Sequence, residues 1–112
     1  MERSTAILVA LIAFLVALLV IGFRASRPDL VVCTDVLEHC PPEDVPWIVE
    51  ELFMLARKFV FANIACYPAR KYLRNGENAH CTVAPVEWWS EQIWRVAQRY
   101  ANIDYRFICK EL

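Results

Sequence analysis

The hydrophobic pattern divides the chain into an apolar N-terminal segment and a longer part in which apolar and polar runs alternate. Residues 6–23, AILVALIAFLVALLVIGF, contain no charge, and as a helix they would reach roughly 27 Å, close to a bilayer's hydrocarbon thickness. We therefore predict a transmembrane helix. A cleaved signal peptide is disfavoured because Phe23 and Arg24 replace the small residues of a cleavage site, and a core helix because every side is apolar. The predicted organisation is a membrane anchor with its flank at 1–28 and a domain at 29–112.

Basic residues around the apolar segment predict its orientation. Arg24 and Arg27 follow the segment whereas Arg3 precedes it, so the bias places the C-terminal part in the cytosol. The chain has five cysteines, an odd number, which agrees with reduced thiols. We therefore expect a single-pass membrane protein whose domain is cytoplasmic.

The part of the chain after Pro28 is predicted to begin with a βαβ unit. Asp29–Cys33 is a continuous apolar run with β-branched residues, which is typical of a strand buried on both faces of a parallel sheet. Trp47–Ala56 repeats apolar positions at helical spacing. Lys58–Ala65 is short, aromatic and β-branched, which favours a second strand.

A long polar stretch separates this unit from a further helix and strand. Cys66–Val83 lacks sustained periodicity, which predicts a loop. Pro85 suits a first helical turn, and an amphipathic pattern continues to about Arg99. Ile103–Cys109 alternates in character, which favours a last strand at a sheet edge. The predicted fold class is α/β: a partial Rossmann-like parallel sheet with flanking helices, preceded by the transmembrane helix.

Several segments resemble one enzyme family. Asp29–His39, DLVVCTDVLEH, followed by the turn Cys40–Asp44, resembles the fourth strand and following loop of class I S-adenosylmethionine-dependent methyltransferases. Downstream, the Asn78-Ala-His80 triplet and the Pro-x-x-Trp-Trp helix start at Pro85–Trp89 are similar in order and spacing. Asp29–Leu112 is thus similar to the C-terminal half of such a domain. The resemblance implies S-adenosylmethionine as cofactor and methyl transfer to an acceptor, by default a small molecule.

The resemblance also implies site residues. Ligands of open parallel sheets bind beyond the carboxyl ends of the strands, and Thr34 to His39 follow such an end. Asp35, Glu38 and His39 are the implied catalytic residues, as pocket wall, structural hydrogen-bonding group and general base, and Thr34 with Asp35 would contact the cofactor. Purely structural roles for Glu38 and His39 stay open. The implied substrate-binding residues are Asn63, Tyr67, His80, Thr82, Trp88 and Trp89. The two tryptophans equally suit packing.

Neither a metal ion nor nucleic acid is predicted to bind. Asp35, Glu38 and His39 supply fewer oxygen ligands than a hard divalent ion takes. The cysteines and histidines lack zinc-finger spacing. A net charge of −1 and scattered basic residues offer no surface for nucleic acid.

The cofactor-binding features of a class I methyltransferase are missing from the sequence. Its glycines are Gly22 and Gly76, so no G-x-G turn can bring backbone amides close to a nucleotide. We favour a truncated methyltransferase that is inactive alone. The alternatives are one half of a split methyltransferase, completed by a complementary half or self-associating through open sheet edges, and a membrane-anchored interaction module without enzymatic activity.

Overall fold

The computed structural model describes residues 2–22 and 27–112, with side chains for residues 4–15 and 27–112. Its elements, in chain order, are helix α1 Glu2–Gly22, strand β1 Leu30–Thr34, a 3-10 turn Leu37–His39, helix α2 Val45–Leu55, strand β2 Phe59–Ala65, helix α3 Val86–Ala97 and strand β3 Asp104–Lys110. Strands and helices alternate as the sequence predicts, and each boundary from β1 to β3 lies within two residues of its predicted position. The α/β part of the predicted fold class is confirmed.

The three strands form one sheet in the order β1-β2-β3, and both neighbouring pairs are parallel. The register places Val31 beside Val60, and Val60 beside Tyr105. Crossovers between successive parallel strands are right-handed as a rule, which places α2 and α3 on the same face of the sheet, and the two helices contact each other. The predicted edge position of β3 is confirmed, and β1 forms the other edge of the described sheet.

The hydrophobic core lies between the sheet and the two crossover helices. Alternate residues of each strand point toward the helices, as the pleat of a strand requires. The buried core residues of these elements include Val31, Cys33, Val60, Ala62, Ile64, Ile48, Val49, Leu52, Phe53, Trp89, Ile93 and Val96. The core therefore fixes the strand ends, on which the candidate site depends.

Strand β1 departs from the expectation that it would be buried on both faces. Val31 and Cys33 are buried, whereas Leu30 and Val32 remain 51% and 47% exposed. The reason is that both crossover helices cover one face and β1 has a strand neighbour on one side in the described part of the chain. The prediction of burial on both faces is therefore wrong.

Helix α1 corrects the membrane-span prediction. Ala6, Ala10 and Phe14 recur on one helical face and are buried, and the latter two belong to the hydrophobic core. Within the described residues, no helix combines the length and apolar character that crossing a membrane requires. The predicted span at 6–23 and the single-pass localisation are therefore wrong. Residues 23–26, on which the end and orientation of the span depended, lie outside the described part.

Candidate functional site

The residues that follow β1 lie close to the last residues of β2, at the carboxyl ends of the parallel strands. Thr34, the last residue of β1, lies beside Asn63 of β2 in the register. The backbone N–H of Asp35 lies 3.2 Å from the carbonyl oxygen of Asn63 and 2.9 Å from its Oδ1. Thr34, Asp35 and Asn63 are thus neighbours at the carboxyl ends of the parallel strands. We call this end of the sheet the carboxyl rim.

Asp35 holds an uncommon backbone conformation and a fixed partner at the carboxyl rim. Its φ of 58° lies in the left-handed region, which aspartate tolerates better than most residues. Its Oδ1 accepts a hydrogen bond of 2.6 Å from Nζ of Lys110, the last residue of β3. This hydrogen bond raises the pKa of Lys110 above its ordinary value. Sequence reasoning missed Lys110, because the predicted last strand ended at Cys109 and the observed strand extends one residue further.

Glu38 is buried, with 1% of its surface exposed, although glutamate is among the residue types least often buried. Its Oε1 accepts a hydrogen bond of 3.3 Å from the backbone N–H of Ala65, at the end of β2. Its own carbonyl oxygen accepts one of 3.0 Å from the N–H of Thr82. Glu38 therefore connects the turn after β1 to both β2 and the loop before α3, as a structural hydrogen-bonding group does.

The two histidines of the chain meet beside Glu38. Nδ1 of His39 lies 2.9 Å from the carbonyl oxygen of Ala79, and Nδ1 of His80 lies 2.6 Å from that of Tyr67. Because a carbonyl oxygen only accepts, each Nδ1 carries a proton, and Nε2 of the neutral ring is an acceptor. The rings contact edge to face, with centroids 4.9 Å apart. Nε2 of His39 lies 3.9 Å from Oε2 of Glu38.

Hydrogen bonds within the loop between β2 and α3 bring His80 to this position. Oδ1 of Asn78 accepts from the N–H groups of Ala69 and His80, at 2.8 and 2.9 Å, while its Nδ2 donates to the carbonyl of Ala69 at 2.9 Å. The buried hydroxyl of Thr82 donates to the carbonyl oxygen of Cys40 at 2.6 Å. The loop is thus fixed on both sides of His80.

The tryptophans at the start of α3 occupy the core more than the carboxyl rim. Trp89 is fully buried and belongs to the hydrophobic core, and Trp88 is partly buried against it. Their rings contact edge to face at 4.9 Å. Trp89 is therefore a packing residue. Tyr67, by contrast, lies beside the two histidines, and the centroid of its ring is 5.9 Å from the centroid of the His80 ring.

Burial changes the chemistry of two thiols close to Glu38. The pKa of Cys33 in β1 and that of Cys40 after the 3-10 turn are both raised to about 12, chiefly because burial disfavours the thiolate. The charge of Glu38 raises both further. None of the described cysteines is in a disulfide bond. Thiols with such raised pKa values stay protonated at neutral pH and are poor nucleophiles.

Glu38, His39 and His80 each offer one ligand atom, and these atoms lie within 4.8 Å of one another. The sequence grouped Glu38 and His39 with Asp35 instead, and no spacing pattern pointed to His80, because this contact depends on the path of a long loop. The prediction of no metal considered Asp35, Glu38 and His39 without His80, and it stays untested. Chemically, the cluster can take up a proton at an imidazole or coordinate a cation.

Comparison with known proteins adds no relative: no protein-family model matches the sequence, no curated protein matches it, and no solved structure matches the fold. The geometry of the carboxyl rim and the resemblance in residues 29–112 therefore carry the functional argument.

Proposed function

We propose that residues 29–112 form the acceptor-side half of a class I methyltransferase domain. Joined to a cofactor-binding half, this half would transfer a methyl group from S-adenosylmethionine to a small molecule. The observation that carries the proposal is the convergence of Asp35, Glu38 and His39 at the carboxyl rim, where ligands of open parallel sheets bind. The chain is inactive alone, because its two glycines form no Gly-rich nucleotide turn.

His39 is the residue suited to accept a proton from the methyl acceptor. Its Nδ1–H donates to the carbonyl of Ala79, so the lone pair of Nε2 is available in the neutral ring. Its side chain is 33% exposed, which leaves it accessible from the rim. As the acceptor atom gains the methyl group, it loses its proton to Nε2, and Oε2 of Glu38, 3.9 Å away, stabilises the imidazolium. Thr34 and Asp35 form the neighbouring wall, on the cofactor's side.

Among the described residues, exposed apolar side chains on one face of the sheet support the idea that a second half completes the domain. Leu30, Val32 and Ile108 lie on the face opposite α2 and α3, and each is more than 40% exposed. In the described residues, β1 also has one free edge. Apolar faces and free edges of this kind are sites where further β-structure is added. This favours a split arrangement, in which the complementary half docks beside β1.

A chimera tests the proposal. The Gly-rich half of a known class I methyltransferase is fused before residue 1, so that α1 keeps its contacts with the hydrophobic core, and S-adenosylmethionine binding is measured by calorimetry for the chimera and for the native chain. We expect micromolar binding by the chimera and none by the native chain. Replacing Asp35 by Ala should weaken binding about tenfold, as expected when a hydrogen bond to a charged group is lost, whereas Glu77→Gln on the exposed loop should not.

The outcomes separate the parts of the proposal. A chimera that unfolds cooperatively yet binds no S-adenosylmethionine contradicts the assignment to this enzyme class. Binding by the native chain alone contradicts the requirement for a second half. Equal affinities for the Asp35→Ala and parent chimeras would remove Asp35 from the cofactor side of the rim.

A further inference from the structure

The cluster of Glu38, His39 and His80 concentrates acceptor atoms in a small space. Both histidines use Nδ1–H to donate to backbone carbonyls, so the lone pairs of both Nε2 atoms are left without a proton in the neutral rings. Nε2 of His39 faces Oε2 of the buried Glu38 carboxylate at 3.9 Å. Two acceptor atoms at this separation repel each other unless a proton or a metal cation lies between them. The cluster therefore has the electrostatics of a cation site.

We propose that Glu38, His39 and His80 bind one divalent transition-metal ion of the Zn²⁺ type. Two imidazoles and one carboxylate are a ligand set of zinc sites that keep an open position, whereas Mg²⁺ and Ca²⁺ prefer oxygen ligands. Asp35 is not a ligand, because its carboxylate pairs with Lys110 at 2.6 Å.

The surroundings of the histidines provide a second observation that points to a metal. A metal-bound histidine almost always donates its other ring N–H to a carboxylate, a backbone carbonyl or water, which fixes the ring and its tautomer. His39 has this contact with Ala79, and His80 has it with Tyr67. Glu38 is held in the same way, since its Oε1 accepts from the N–H of Ala65. All three candidate ligands are thus oriented before any metal binds.

The distances fit a site that closes slightly on binding. Zinc–nitrogen and zinc–oxygen bonds of about 2.0–2.2 Å place the ligand atoms of a tetrahedron about 3.3–3.5 Å apart. The ligand atoms here lie within 4.8 Å of one another, so each has to move by about 1 Å or less. The fourth position is left for water or for an oxygen or nitrogen of a bound small molecule. A Zn²⁺-bound Nε2 cannot also accept a proton, so His39 acts as the base of methyl transfer only in the metal-free chain. Metal binding needs no cofactor half, so it can be tested independently of methyl transfer.

Titration of the purified full chain with Zn²⁺, followed by calorimetry and equilibrium dialysis, tests the proposal. We expect one Zn²⁺ per chain, and we expect Mg²⁺ not to compete. Loss of a residue that only orients a metal ligand weakens metal binding by about 10- to 100-fold. His39→Gln and His80→Gln each remove a ligand itself, so each should weaken Zn²⁺ binding by at least that much. Glu77→Gln, on the same loop as His80 but exposed, is the matched control and should bind as the native chain does.

X-ray absorption of the zinc-loaded native chain makes the test independent of whether the variants fold. We expect nitrogen and oxygen neighbours at about 2.0–2.1 Å, with imidazole scattering, and no sulfur at about 2.3 Å. A sulfur shell would overturn the proposal, because the ion would then be held by cysteines. No binding by the native chain, or undiminished binding by folded His80→Gln, would overturn it equally.

Discussion

The hydroxyl of Thr82 is predicted to hold the loop that carries His80, and its removal should have a measurable cost. Thr82 is 4% exposed, and its Oγ1 donates to the carbonyl of Cys40 at 2.6 Å. Thr82→Val keeps the shape but leaves that carbonyl without its hydroxyl donor, which costs about 1–3 kcal/mol for a buried group. We expect the free energy of unfolding to fall by about 2 kcal/mol, roughly a 30-fold change in the ratio of folded to unfolded chains.

Urea denaturation followed by tryptophan fluorescence measures this change. With a slope of about 1–1.5 kcal/mol/M for a chain of this size, the midpoint should fall by about 1–2 M while the slope is unchanged. The matched control is Thr34→Val at the exposed end of β1, which should change stability by less than about 0.5 kcal/mol. Equal midpoints for Thr82→Val and the native chain would refute the claim that this hydrogen bond anchors the loop.

Three further predictions concern the core, the turn after β1 and the buried thiols. Phe53→Ala should cost about 3–5 kcal/mol in the same assay because Phe53 is 1% exposed, and a smaller loss than for exposed Tyr72→Ala would contradict the core assignment. Asp35→Ala should be about 1 kcal/mol less stable than Asp35→Gly, because the left-handed backbone at a φ of 58° strains alanine and not glycine; the reverse order would contradict that conformation. In the folded chain the pKa values of Cys33 and Cys40 are raised from 9.0 to about 12. As pH rises, the unfolded chain therefore loses these two protons at a lower pH than the folded chain does. The free energy of unfolding should fall between about pH 9 and about pH 12. Unfolding midpoints at rising pH check this, and the fall should be shallower when both cysteines are replaced by Ala.

The elements of the α/β unit could be predicted because their signals are local. Phe59–Ala65 is short, aromatic and β-branched, and Val86–Ala97 repeats apolar residues at helical spacing, so each segment fits one kind of element. The predictions of a membrane span and of a strand buried on both faces were wrong because burial depends on which elements pack against a segment. A uniformly apolar helix can lie in a bilayer or pack against a protein surface, and its hydrophobicity is the same in both cases. The packing of Ala10 and Phe14 into the core therefore could not be predicted from hydrophobicity.

The candidate site was predictable in part for the same reason. Asp35 and Glu38 follow a strand directly, so the rule that ligands bind at the carboxyl ends of strands places them at the rim. His80 and Lys110 reach the rim through a long loop and through the parallel pairing of β3, and neither contact has a signature in residue spacing. The pairing of Lys110 with Asp35 and the meeting of His80 with His39 therefore required the structure.

Glu38, His39 and His80 form a pre-organised cluster whose ligand atoms lie within 4.8 Å of one another, with Nε2 of His39 3.9 Å from the Glu38 carboxylate. Nitrogen-15 NMR of the histidine side chains in the native chain, above pH 8 and without metal, tests this arrangement most directly. We predict that both rings are protonated at Nδ1 and bare at Nε2, with cross-relaxation between ring protons of His39 and His80, whose centroids lie 4.9 Å apart. Protonation at Nε2 in either ring, or no contact between the rings, would contradict the account.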